Sequence, residues 1–415
     1  MAVNPEILTW ARGTAGLTLD QAAHALAFQD TRDRSAVQRL MALEAGEEQP
    51  SRSVLLRMAR AYRRALLVFY LAQPPRTGDR GQDFRTVPGG ASPEYNPLLD
   101  ALIRDIRGRQ TAVRSLMEET DAQPVDFVGA ATMNVPAEDL AHQITDRLQF
   151  TLDEFRKQPD IGRAFGYLRE KIEATGVFVV LLGNLGSHHT NISVDVFRGF
   201  AIADAIAPFI VINDQDAHVA WSFTALHELV HLWLGTTGIS STSTEARIEK
   251  YCNAVAGEIL LPTVELRGLS ELRRASADEL LEVISPFASV RKISRAMVAY
   301  KLLQSDSIGD RLWRQVVDRL REEWLETRRR QEQEEAPGNA GGPSYYVVKR
   351  HRLGNALLDI VRRSLNEGII STGSVFSKSK IRPVFLVIVD VEFQQPSQMS
   401  CLTAPRFFSS ILSRS

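Results

Sequence analysis

The run His227-Glu228-Leu229-Val230-His231 has the residue types and spacing for metal chemistry. On a helix, residues four apart share a face, so the imidazoles of His227 and His231 would converge on a zinc ion. Glu228 would then stand beside the metal, where a carboxylate can take a proton from zinc-bound water. A catalytic site of this kind needs a third protein ligand and keeps a fourth position for water. The spacing has meaning only on a helix. The apolar-rich stretches WSFTAL (221–226) and LWL (232–234) supply one, and Gly235 follows as a helix stop.

The third ligand is sought on a second helix. Residues 244–261 have helical period, with Ile248, Cys252, Val255, Ala256 and Ile259 on one apolar face, and Pro262 as a stop. Glu249 is the best candidate. Asn253 lies one turn further on the same side, where it could hydrogen-bond a ligand or the first helix from behind. Glu245 and Glu258 are rivals for the ligand role and read more simply as solvated helix carboxylates. A peptide-cleaving site would also need a donor for the oxyanion. Tyr251, His188 and His189 are candidates, although adjacent loop histidines are more often just exposed.

The chain has 415 residues, 44% hydrophobic and 24% charged, with a net charge of -1. That is ordinary soluble composition, enough for two or three domains, and the overall charge does not advertise nucleic-acid binding. The two cysteines, Cys252 and Cys401, imply no disulfide framework. The first residues lack the apolar core of a signal peptide. The longest apolar runs, at 177–182 and 384–389, are too short to cross a bilayer. A reducing cytoplasm, with no membrane partner, is the expected setting.

Composition and periodicity divide the chain. Residues 1–75 read as an all-helical domain, with helices at 5–12, 19–26, 36–45, 53–62 and 65–71 and caps at Thr18 and Ser35. Residues 76–96 are a Gly/Pro-rich linker. Residues 97–331 read as an α+β unit. Helices at 97–119, 137–148 and 161–174 precede strands at 177–182, 192–197 and 208–213. The two motif helices and helices at 276–303 and 310–331 follow. Residues 332–344 form a second linker, 345–371 a small, locally basic helical module, and 372–415 a tail without assignment.

Two family resemblances follow from these residues. GLTLDQAAHAL followed by LEAGEEQPSRSVLLRMARAY resembles an XRE-type helix-turn-helix domain. The resemblance implies that the helix at 36–45 enters the major groove, with Arg32, Arg34, Gln38 and Arg39 as candidate DNA contacts. The turn before that helix is longer than usual and holds two acids. The runs FRGF (197–200), PFIVIN (208–213), FTALHELVHLWLG (223–235) and IEKYCNAVAGEILLP (248–262) resemble the ImmA/IrrE metallopeptidases, in the long form that carries an N-terminal helix-turn-helix. The resemblance spans about residues 5–370. It implies a zincin-like domain with a small sheet, Zn2+ held by His227, His231 and Glu249, and Glu228 as catalytic base. It further implies a protein substrate, a helix-turn-helix repressor. The competing expectation is a DNA-binding regulator, or an antitoxin-like protein, whose zinc site is structural or sensory.

Overall fold

Three short apolar runs form a sheet that is buried on both faces. The computed structural model describes residues 3–75, 97–186, 188–236, 242–334 and 345–369; the first linker and the tail from 370 onward lie outside the described residues. The helices are α1 Pro5–Thr14, α2 Leu19–Ala25, α3 Ala36–Glu44, α4 Arg52–Ala61, α5 Pro97–Glu119, α6 Ala137–Leu148, α7 Leu152–Lys157 and α8 Ile161–Glu173. Strands β1 Phe178–Leu181, β2 Gly199–Ile202 and β3 Phe209–Ile212 come next. Then follow α9 His218–Leu234, α10 Thr242–Leu260, α11 Ala277–Arg291, α12 Arg295–Gln304, α13 Asp310–Glu334, α14 Tyr345–Leu353 and α15 Asn355–Asn366. Helix predominates over one small sheet, an α+β arrangement.

The strand order is β1-β3-β2, with β3 parallel to β1 and antiparallel to β2. Side chains alternate across a strand, so each face gathers its own set. Val179, Leu181, Ala201, Ile210 and Ile212 join one core with α6, α8, α9, α10, α11 and α12. Phe178, Val180, Phe200, Phe209 and Val211 join a second core with α5, α14 and α15. Burial on both faces is why these runs read as continuously apolar rather than alternating.

Residues 345–366 thus contribute helices to the sheet core. Arg169 of α8 ties them in: its guanidinium donates to the carbonyls of Val179, His351 and Arg352 and pairs with Glu173. Glu173 in turn accepts the Asn355 and Ala356 amides at the start of α15, where the helix dipole favours a carboxylate.

Two expectations need correction. No strand runs through 192–197. The Ser193 hydroxyl accepts the Asp195 amide at 3.2 Å, and the Val196 amide reaches the Ser193 carbonyl at 3.0 Å, a local turn that displaces the strand ladder. Buried Asn213 fixes that turn by donating to the carbonyls of Ile192 and Phe197, both at 3.0 Å, and the pairing strand starts only at Gly199. The helix expected over 276–303 is two helices. Lys292 adopts a left-handed φ of 58°, and Ser294 caps α12 by accepting the Met297 amide.

The N-terminal helices bury their own core, including Ile7, Leu8, Leu26, Leu40, Leu55, Met58 and Phe69. Thr18 and Ser35 each form a capping box, with Gln21 and Gln38 as reciprocal partners. A bidentate Arg12–Glu44 pair links α1 to α3, at 2.7 and 2.9 Å. The 66–70 segment is a 3-10 turn rather than an α-helix. No helix of the described residues is long and apolar enough to cross a membrane.

Candidate metal centre and active site

Helix α9 is buried from Trp221 to Trp233 apart from Phe223, so it is a core rod rather than a surface helix. Phe165 of α8 packs edge-on to Trp221, and Phe127 stacks on Trp233 at 5.1 Å. The last carbonyls of a helix have no partner within it. Here the loop before α6 supplies one to each of two: the Gly129 amide meets the Leu232 carbonyl and the Ala131 amide meets the Trp233 carbonyl, both at 2.9 Å. Gly235 ends the helix with φ of 58°, and a Cβ there would lie 2.7 Å from the Gly129 Cα. Both the conformation and the close approach require glycine.

This rod carries His227, Glu228 and His231, exposed by only 0%, 2% and 6%. The Nε2 atoms of the two histidines face each other at 3.1 Å. Helix α10 packs against α9 and brings Glu249 onto the pair. Its Oε2 lies 3.3 Å from His227 Nε2 and its Oε1 lies 3.2 Å from His231 Nε2. Burial alone would push the Glu249 carboxyl up, but hydrogen bonds and charge from His227 and His231 outweigh it and hold it well below the usual carboxylate range. Metal–ligand bonds of about 2.0–2.1 Å make a tetrahedral edge of about 3.3–3.4 Å. The 3.1 Å between the two imidazole nitrogens is close to that edge, and Glu249 sets a different oxygen beside each histidine, so two histidines and an adjacent carboxylate offer donors to a divalent cation such as zinc.

The Thr236 hydroxyl is placed to orient His231: it lies 3.2 Å from His231 Nδ1 and can donate to the His231 carbonyl at 3.4 Å, an arrangement that suits a proton on Nδ1. With the proton on Nδ1, the Nε2 lone pair points at the other donors. Strand β2 closes over Glu228. A Cβ at Gly199 would stand 2.6 Å from Thr224 Cγ2 and 3.0 Å from Glu228 Oε1, so a side chain there would clash with Thr224 and crowd the carboxylate.

Other candidates lie as follows. Asn253 is buried on α10, one turn beyond Glu249. Glu258 is committed elsewhere, paired with Lys301 at 2.6 Å, and the Glu245 side chain lies outside the described residues. The Tyr251 hydroxyl donates to the Val135 carbonyl at 2.7 Å, which occupies it away from an oxyanion role. His189 is exposed in a short 3-10 turn, and the His188 side chain is outside the described residues. Among the residues suggested for DNA, Arg32 and Arg34 are exposed ahead of α3, and Arg34 pairs with Glu48. The Gln38 amide oxygen accepts the Ser35 amide, and the Arg39 guanidinium lies over the Phe28 ring at 5.0 Å.

Three contributors escape the sequence reading. Cys252, taken as part of an apolar face, is fully buried against the histidines. Its position one turn after Glu249 is the signal that could have found it. Thr236 lies past the helix end, where no periodicity marks it. Gly199 sits within the quoted run at 197–200, but its closeness to Glu228 is a tertiary fact.

Residues 184–303 match the family model described as the IrrE N-terminal-like domain, a peptidase family. The match takes in β2, β3 and the helices α9 to α12 that build the site. It supports the resemblance to the ImmA/IrrE metallopeptidases over this part of the chain. No curated protein and no solved structure matches the chain.

Replacing Thr236 by Val removes the acceptor for His231 Nδ1 while keeping the side-chain volume. Zinc affinity, measured by competition with a chelating dye, should fall about tenfold or more without loss of folded helix. Unchanged affinity would show that Thr236 does not set the tautomer.

Proposed function

We propose that this chain is a zinc-dependent regulatory endopeptidase that cleaves an XRE-type transcriptional repressor and carries its own DNA-binding domain. One observation carries the peptidase reading: two imidazole nitrogens face each other at 3.1 Å with a Glu249 oxygen beside each, and Glu228 is buried next to them on the same helix. The match to a peptidase family over 184–303 supports it.

In this reading His227, His231 and Glu249 hold Zn2+. The bound ion would polarise the scissile carbonyl and bring the pKa of a water toward neutrality. Glu228 accepts the proton of the attacking water and passes it to the leaving amine. Thr236 keeps His231 in the ligating tautomer, and Asn253 supports the site from behind on α10. The Glu249 side chain is 31% exposed, against 0% for His227, so a polypeptide substrate approaches from the Glu249 side.

The substrate and the DNA contact rest on the resemblance of the long ImmA/IrrE form. Residues 1–75 act as the helix-turn-helix, with α3 in the major groove and Arg32, Arg34, Gln38 and Arg39 facing DNA. The small cores of α1 to α4 and the capped α3 are compatible with that role.

Glu228→Gln should keep bound zinc, measured by metal analysis, and lower cleavage of the cognate repressor by about 10²–10⁴-fold, the usual contribution of a general base. Equal digestion by wild type and variant would end the peptidase reading. For DNA, Arg39→Ala should weaken binding to a promoter fragment by about 1–3 kcal/mol in a fluorescence titration. Unchanged binding without salt dependence would contradict the recognition-helix assignment.

A further inference from the structure

Cys252 lies on α10 one turn beyond Glu249 and is 0% exposed. Its sulfur and the ring nitrogens of His227 and His231 all lie within 4.8 Å of one another. A buried cysteine is ordinarily a small hydrophobe in a core. This one faces two imidazoles that already converge with a carboxylate. Bonds of about 2.3 Å to sulfur and about 2.0–2.1 Å to nitrogen require a sulfur–nitrogen separation of about 3.5 Å. The thiol therefore reaches ligating distance with a movement of little more than about 1 Å.

We propose that Cys252 is a further protein donor to a cation held by His227 and His231. This rests on the metal-centre reading above. On ligation the S–H bond breaks, its proton passes to solvent, and the sulfur lone pair forms the new bond; no electrons are gained or lost. A thiolate also biases the site toward zinc or cobalt over magnesium or calcium, which prefer oxygen donors.

The test is a cobalt(II) titration of the metal-free full-length protein, followed by absorption. Wild type should show visible d–d bands together with a thiolate-to-cobalt charge-transfer band in the near ultraviolet. Cys252→Ser should keep the d–d bands, lose the charge-transfer band and bind cobalt about 10- to 100-fold more weakly, at least the loss seen when a ligand's supporting partner is removed. Cys401→Ser, which alters the one other cysteine of the chain, should retain the band. Suppose wild type binds cobalt with d–d bands that His231→Ala abolishes, yet shows no charge-transfer band. The thiol assignment then fails while the metal centre stands. A band that survives Cys252→Ser has the same consequence. If wild type binds no cobalt at all, both readings fall. The wild-type and Cys401→Ser spectra decide the matter even if serine is not tolerated at the buried position.

Discussion

Everything in the centre of this chain depends on holding three electron-rich groups, two imidazoles and a carboxylate, at about van der Waals contact. Two imidazole nitrogens 3.1 Å apart, with one Glu249 oxygen 3.2–3.3 Å from each, repel one another through their lone pairs unless a cation or a shared proton lies among them. A flexible surface helix would relax the strain by turning the rings away. Here α9 is locked by its burial, by the loop amides on its last carbonyls and by Gly235 against Gly129. The sheet presses on it from β2, where only glycine leaves room for Glu228. The donor set is rigid because its scaffold is core, and a rigid donor set selects a cation by size and geometry.

Local chemistry was the legible part of this structure. The helix under His227 and His231 follows from flanking apolar residues and Gly235, and Glu249 follows from the period of α10. The capping boxes at Thr18 and Ser35 were readable because the partner lies three residues away. Non-local effects were not. The apolar run at 192–197 has strand composition, yet Ser193 and the long-range bonds from Asn213 turn it into a loop. The break at Lys292 has no glycine to announce it. Helices α14 and α15 looked separate because a linker precedes them, but their apolar residues fill a sheet face that only the folded chain creates. Cys252 was assigned by hydrophobicity, which cannot distinguish a packed thiol from a donor.

The N-terminal helices and the metal centre answer to different constraints. The first unit is a small helical core with optimised caps and a fixed Arg12–Glu44 pair, features that hold helices in place and say little about partners. The centre is the opposite case, with buried polar groups that cost free energy unless they serve a ligand. The Cys252 thiol lies beside the two histidines within that centre.

The most direct test of the central claim is a crystal of the zinc-loaded protein with diffraction recorded on both sides of the zinc absorption edge. The account predicts one strong anomalous peak within about 2.0–2.1 Å of the Nε2 atoms of His227 and His231 and of a Glu249 oxygen. A peak elsewhere, or zinc bound by the histidines with Glu249 turned away, would contradict it.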